Sequence, residues 1–180
     1  PVSEGDLIPE GWEEEARVTT DFNGDKTEDL ALVIKRAQPD PAIESDRKVL
    51  FTLGTTGGFL VKASTTCLAY CQNCGGVFGD PFGGISQTGK NSVTVSNYGG
   101  SNHRWAVNYT AMWHEGTFQV VGIDEESFNA PGPAETEKKS INLLSGQFHG
   151  NDKRTLKTHN KKPVFVESCD EIENIRSEVK

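Results

Sequence analysis

Alternation of apolar and polar positions dominates this chain, and it reads as strand rather than helix. Ala16–Thr20 alternates, and Leu30–Ile34 is a short apolar run closed by Lys35 and Arg36. Lys48–Leu53 and Phe59–Ala63 flank Gly54-Thr55-Thr56-Gly57-Gly58, a hairpin pattern. Val93 and Val95, then Val107, Tyr109, Ala111 and Trp113, alternate with polar partners across Ser92–Asn97 and Arg104–Trp113. Glu115-Gly116 makes a turn into Thr117–Ile123. Ser140–Leu144, Gln147–His149 and Pro163–Val166 are further short strands. Leu7–Trp12 is an entry segment whose Trp12 caps the core, while Ala37–Asp46 and Ala130–Ala134 are proline-bearing loops. Ser168-x-x-Glu171, followed by Ile172, Ile175 and Val179, predicts a short capped amphipathic helix. The expected class is mainly β: an antiparallel sandwich or strongly curved meander sheet with a short C-terminal helix. At 180 residues the chain is one domain, residues 1–180, long enough to bury a core.

Charge sharpens this picture. The net charge is −8, and residues 1–30 carry all of it, with ten acids against Arg17 and Lys26. Such a segment repels itself unless a cation relieves it. The overall sign disfavours nucleic acid as the main partner. A basic stretch (Lys153, Arg154, Lys157, His159, Lys161, Lys162) reads as a solvated loop, the sharper alternative being a docking patch for an acidic partner. No apolar run has the length of a transmembrane segment. The chain starts at Pro1, which fits a mature protein whose leader, with or without a lipid anchor, has been removed.

Within the acidic segment, Asp21-Phe22-Asn23-Gly24-Asp25-Lys26-Thr27-Glu28-Asp29 places oxygen-bearing side chains at positions 1, 3, 5 and 9 and a glycine at the turn. Calcium takes about six to eight oxygens. Asp21, Asn23, Asp25 and Asp29 would supply side-chain ligands, Thr27 its carbonyl, and Glu28 or water the remainder. The bland alternative is a solvated acidic hairpin turn. An EF-hand is excluded because its twelfth position here is Leu32 and its flanks read as strands. The stretch from Val18 to Ile34 resembles the D-x-[DN]-G-D-x-x-x-D-L element of FG-GAP and VCBS-type repeats, extracytoplasmic β-structures whose loops bind calcium. The absence of a blade-length repeat argues against a whole propeller.

A wider resemblance spans most of Ile8 to Gly146. The Pro9-Glu10-Gly11-Trp12 start, the acidic loop, Cys71-x-x-Cys74-Gly-Gly-Val-Phe-Gly-Asp-Pro-Phe82 and Tyr98-Gly-Gly-Ser-x-x-Arg-Trp105 are similar to a family of small uncharacterised bacterial exported proteins and lipoproteins. That resemblance implies a periplasmic or otherwise extracytoplasmic place in the bacterial envelope and says little about activity.

Cys67, Cys71, Cys74 and Cys169 allow three readings. C-x-x-x-C-x-x-C matches radical-SAM spacing, but Asn73 stands where an aromatic belongs and the chain is too short for the barrel. Zinc remains open, as do free thiols. Disulfides suit an even count outside the cytoplasm, with Cys71–Cys74 and Cys67–Cys169 preferred among three connectivities.

Two glycine-rich, aromatic segments, Gly75–Gly84 and Tyr98–Trp105, read as surface built for binding. The first is no phosphate loop, since it lacks the Gly-Lys-Ser/Thr ending. Asp80, Tyr98, Asn102, His103, Arg104 and Trp105 are the candidate binding residues. No Gly-x-Ser-x-Gly and no His-Glu-x-x-His occurs. The first functional expectation is a calcium-bearing binding protein that engages another protein, one version being an immunity protein against a secreted toxin. The alternative is an envelope hydrolase acting on glycan or cell wall, with Asp80 and His103 as its acid–base pair.

Overall fold

The computed structural model of the chain describes residues 1–38, 46–130, 136–151, 155–157 and 162–178, with backbone alone at 155–157 and 178. Two antiparallel sheets face each other. The first contains β1 (Trp12–Thr20), β2 (Asp29–Arg36), β3 (Arg47–Thr55) and β4 (Gly58–Thr65), hydrogen-bonded in chain order. The second contains β5 (Phe82–Gly89), β6 (Ser92–Gly100), β7 (His103–His114), β8 (Thr117–Asn129), β9 (Thr136–Asn142), β10 (Gln147–His149) and β11 (Thr155–Lys157), again a simple meander. One helix, α1 (Cys169–Glu178), follows. This is the mainly β architecture expected, with its short terminal helix.

The alternating positions explain the packing. Val18, Ala31, Val33, Val49 and Phe51 of the first sheet meet Val93, Val95, Val107, Tyr109, Val120 and Ile123 of the second in one core. Phe51 stacks on Phe118 at 4.6 Å, and Phe22 meets the same ring edge-on at 5.3 Å. β2 is buried on both sides because a second cluster covers its outer face. Leu7, Leu30, Leu32, Ile34 and Leu50 form that cluster, with Ile8, Trp12 and Phe59 at its margin. Trp12 therefore caps this outer layer, flanked by Arg36 at 5.1 Å and Lys48 at 4.7 Å.

Several boundaries differ from the pattern reading. The β3–β4 hairpin turns over fewer residues than the five expected. At Glu115-Gly116 both residues have positive φ (49° and 82°), as a tight hairpin turn requires. β8 runs on to Asn129, whereas β9 stops at Asn142 before the apolar Leu143-Leu144. Pro163–Val166 is no strand: it contributes one bridge, Gln119 to Phe165. β5 and β11 were not expected at all. Most of the basic stretch, and most of both proline-bearing loops, lie outside the described residues.

One buried cation joins the parts. The Arg47 side chain has no exposure, yet it carries a full charge. Its Nε and Nη2 donate to Glu15 (2.7 and 3.0 Å), and its Nη1 and Nη2 donate to Asp80 (2.9 and 2.6 Å). Nη1 also donates to the Tyr70 carbonyl, and the guanidinium lies over Phe82 at 4.8 Å. Glu15 reaches it because β1 bulges between Glu14 and Ala16, which re-aims the intervening side chain. The next residue back, Asp46, is also buried and accepts from the Gln72 backbone N–H at 3.0 Å.

Both disulfides are present: Cys67–Cys169 (Cα–Cα 5.5 Å) and Cys71–Cys74 (5.2 Å). They differ in what they constrain. The first closes a separation of 102 residues, worth about 4.7 kcal/mol of unfolded-chain entropy, and the second a separation of 3, worth about 2. Arg176 pins the other end of α1, donating to Tyr70 Oη (2.5 Å) and Tyr109 Oη (3.3 Å).

Replacing Arg47 with Met leaves the largely buried Glu15 carboxylate (17% exposed) without its guanidinium, while Asp80 (41% exposed) keeps access to water. Urea unfolding of the oxidised protein should show a loss of about 3–5 kcal/mol. For Asp80, burial opposes ionisation, but hydrogen bonds from Arg47 and the Phe82 N–H and the charges of Arg47 and Lys35 hold its pKa below the ordinary value. A carboxylate depressed in the folded state stabilises above its unfolded pKa, and that stability is lost as pH falls through the folded value. Between pH 5 and 3, the wild type should therefore lose more stability than Asp80→Asn.

Candidate functional site

The two glycine-rich segments are neighbours, braced together by their backbones. Gly75 N donates to Gly79 O (2.8 Å), Gly100 N to Gly75 O (2.9 Å), and Val77 N to Gly100 O (3.1 Å). A parallel bridge joins Gly76 to Gly100. Such close approach excludes side chains. A Cβ on Gly99 would stand 2.6 Å from Trp105 Cζ2 and 2.9 Å from the Gly75 backbone. Beyond the brace, Tyr98 N donates to Pro81 O at 2.8 Å, which seats the Asp80-Pro81 turn against β6.

This scaffold holds large apolar side chains in solvent. Val77 is 82% exposed, Phe78 46% and Tyr98 37%. Phe78 and Tyr98 rings meet at 5.6 Å, and the Arg104 guanidinium lies over Phe78 at 5.1 Å. The Arg104 Nε is buried with no acceptor among the described residues. An unanswered donor beside exposed rings is costly in an isolated chain. Val77 and Phe78 were not among the residues singled out from sequence. Their signal was present: two apolar residues flanked by glycines that cannot cover them.

The other candidates separate. Trp105 is half-buried and packs on the core beside Tyr70 (5.6 Å). Asn102 contributes its backbone carbonyl to Ala130 N (2.7 Å). His103 is exposed, with Nδ1 at 3.2 Å from Asn129 Oδ1. Asp80 is engaged by Arg47 and also accepts from the Phe82 N–H (3.0 Å), so it caps its own turn. No hydrogen bond joins Asp80 to His103 among the described residues.

The acidic loop between β1 and β2 is ordered by its own side chains. Asp21 Oδ1 accepts from Gly24 N and Asp25 N (2.6 and 3.1 Å), and its Oδ2 from Lys26 N (2.9 Å). Asn23 Oδ1 accepts from Asp25 N (2.9 Å), and Asp25 Oδ1 from Thr27 N (2.7 Å). Asp29 is fully buried and accepts from Phe22 N (2.7 Å) and Gly54 N (2.8 Å). Burial pushes the Asp29 carboxyl above its usual pKa despite those bonds. Among the described residues no three His, Cys, Asp or Glu side chains are gathered as a metal cluster. The donor chemistry nevertheless fits a hard cation: every group in the set offers oxygen, and among the described residues the buried carboxylate accepts from neutral N–H groups.

A cleft of about 530 Å³ lies beside the brace, lined by both disulfides, Tyr70, Trp105, Tyr109 and Arg176. Among the described residues no helix is long and apolar enough to cross a membrane. No protein-family model, curated protein or solved structure matches the chain.

Gly99→Ala should lower stability by about 1–3 kcal/mol, because backbone cannot move aside as a flexible side chain can. Its aromatic NMR signals from Phe78 and Tyr98 should shift. Unchanged signals would mean that the brace does not set the face.

Proposed function

We propose that this chain is an extracytoplasmic, calcium-stabilised β-rich module that engages another protein through Val77, Phe78, Tyr98 and Arg104. The observation that carries the reading is the exposed aromatic pair held on a braced glycine backbone, with the Arg104 guanidinium over one of its rings. Aromatic and arginine side chains are the residue types that carry protein interfaces. The fitting partner offers an apolar plug for the rings and a carboxylate or carbonyl for Arg104. A secreted antibacterial toxin held by this chain as its immunity protein is one such partner. Two closed disulfides favour an oxidising compartment.

Asp21, Asn23, Asp25, the Thr27 carbonyl and Asp29 would hold the calcium. The ion would supply positive charge to the acidic segment and favour ionised Asp29 at the root of β2. Its role is to fix the first hairpin, away from the docking face.

Two experiments divide these claims. Calcium at a hundredfold excess over its Kd should stabilise the wild type by about 2.7 kcal/mol in thermal unfolding. Asp25→Ala should abolish the gain, and no gain in the wild type would reduce the loop to an acidic turn. For the face, a photo-crosslinking residue at position 78 should trap one protein in the source cell. Position 60, exposed on β4, should not trap it, and Arg104→Glu should abolish the adduct. The same adducts from both positions, or none from 78, would overturn the docking assignment.

A further inference from the structure

The two disulfides sit on one cleft but are held differently. Cys67 packs against the core at the end of β4, and its partner Cys169 begins α1, which Ile172 and Ile175 bury. Cys67 and Cys169 are each half-buried. Cys71–Cys74 spans only a turn, with Cys74 exposed and Cys71 half-buried. Its N-terminal side is anchored: Tyr70 N donates to Asn97 Oδ1 (2.9 Å), Gln72 N to Asp46, and Gln72 Nε2 to Arg36 O (3.2 Å). Its C-terminal side leads directly into Gly75, the centre of the brace under Val77 and Phe78. The bond therefore links an anchored segment to the docking face and constrains the unfolded chain less than Cys67–Cys169 does.

We propose that Cys71–Cys74 is a thiol-exchange site whose co-reactant is a dithiol, and that its opening loosens the Val77–Phe78 face while Cys67–Cys169 stays closed. A reductant thiolate attacks the exposed Cys74 Sγ, the Cys71–Cys74 bond breaks, and Cys71 leaves as a thiolate. The second reductant thiol then attacks the mixed disulfide and releases Cys74. Two electrons and two protons pass to the cysteines, and the dithiol becomes a disulfide. The freed turn no longer fixes Gly75 against Gly79 and Gly100. The regulatory meaning, a docking face that works only when oxidised, rests on the protein-binding reading above.

The test uses the full chain and graded dithiothreitol, with differential alkylation and mass spectrometry beside amide hydrogen exchange. Cys71 and Cys74 should be alkylated at reductant concentrations that leave Cys67–Cys169 intact. In that state the Gly75, Val77 and Gly100 amides should exchange at least tenfold faster, with the Val120 amide in the core unchanged. A Cys71→Ser/Cys74→Ser double variant, folded by the remaining disulfide, should show the same fast exchange without reductant. Opening of Cys67–Cys169 first, or exchange at the brace that ignores the opened bond, would overturn the proposal. No partner is used, so failure of the crosslink at position 78 and failure here are separate results.

Discussion

The Arg47 charge has to be answered inside the protein, and much of the architecture follows from that requirement. An uncompensated guanidinium in a core is far more costly than any single apolar contact can offset. Its three partners come from β1, the turn ahead of β5 and the cysteine segment: Glu15 from the β1 bulge, Asp80 from that turn, and a carbonyl from Tyr70. The cation therefore fixes where the first sheet, the cysteine turn and the glycine-rich segment stand relative to one another. Hydrophobic burial drives the sheets together, but it is nondirectional, whereas the hydrogen bonds of a guanidinium fork specify angles.

The geometry of the proposed docking face inherits this fixity. Pro81 follows Asp80 and accepts from Tyr98 N, while Phe82 covers the guanidinium and opens β5. Phe78, against which Tyr98 of β6 rests, thus stands on a segment whose far end is tied to a buried charge and whose near end is tied to a disulfide. A rigid apolar platform loses little conformational entropy on association, which is the condition for a small patch to bind well. The acidic loop works at the other end of β1 and stiffens the hairpin from which Glu15 is presented.

What was legible in the sequence was largely periodic. The β3–β4 hairpin, the Glu115-Gly116 turn and the β6–β8 meander show the alternation and turn residues that their backbone requires. Both disulfide partners were readable because an even count with one distant cysteine favours one local and one long bridge. β5 was hidden because Gly83, Gly84, Ser86, Gln87 and Thr88 carry no apolar alternation, and an edge strand with exposed faces needs none. Pro163–Val166 failed in the opposite sense: an apolar run buried at Val164 and Val166 without a ladder. Arg47 was invisible for a physical reason. A charge at the start of a strand looks solvent-facing until a bulge elsewhere sends it a carboxylate. For the same reason Asp80 read as a free binding group, although its oxygens are engaged by Arg47.

A double-mutant cycle on Glu15→Gln and Asp80→Asn, read by urea unfolding with both disulfides intact, tests most directly whether one buried cation unites these segments. Among the described residues both carboxylates hydrogen-bond Arg47, and the Lys35 ammonium adds a weaker charge link to each. The account predicts losses that fail to add by about 0.5–3 kcal/mol, the signature of a shared partner. Losses that add to within a few tenths of a kcal/mol would contradict it, and would mean that the glycine-rich face is positioned without the buried cation.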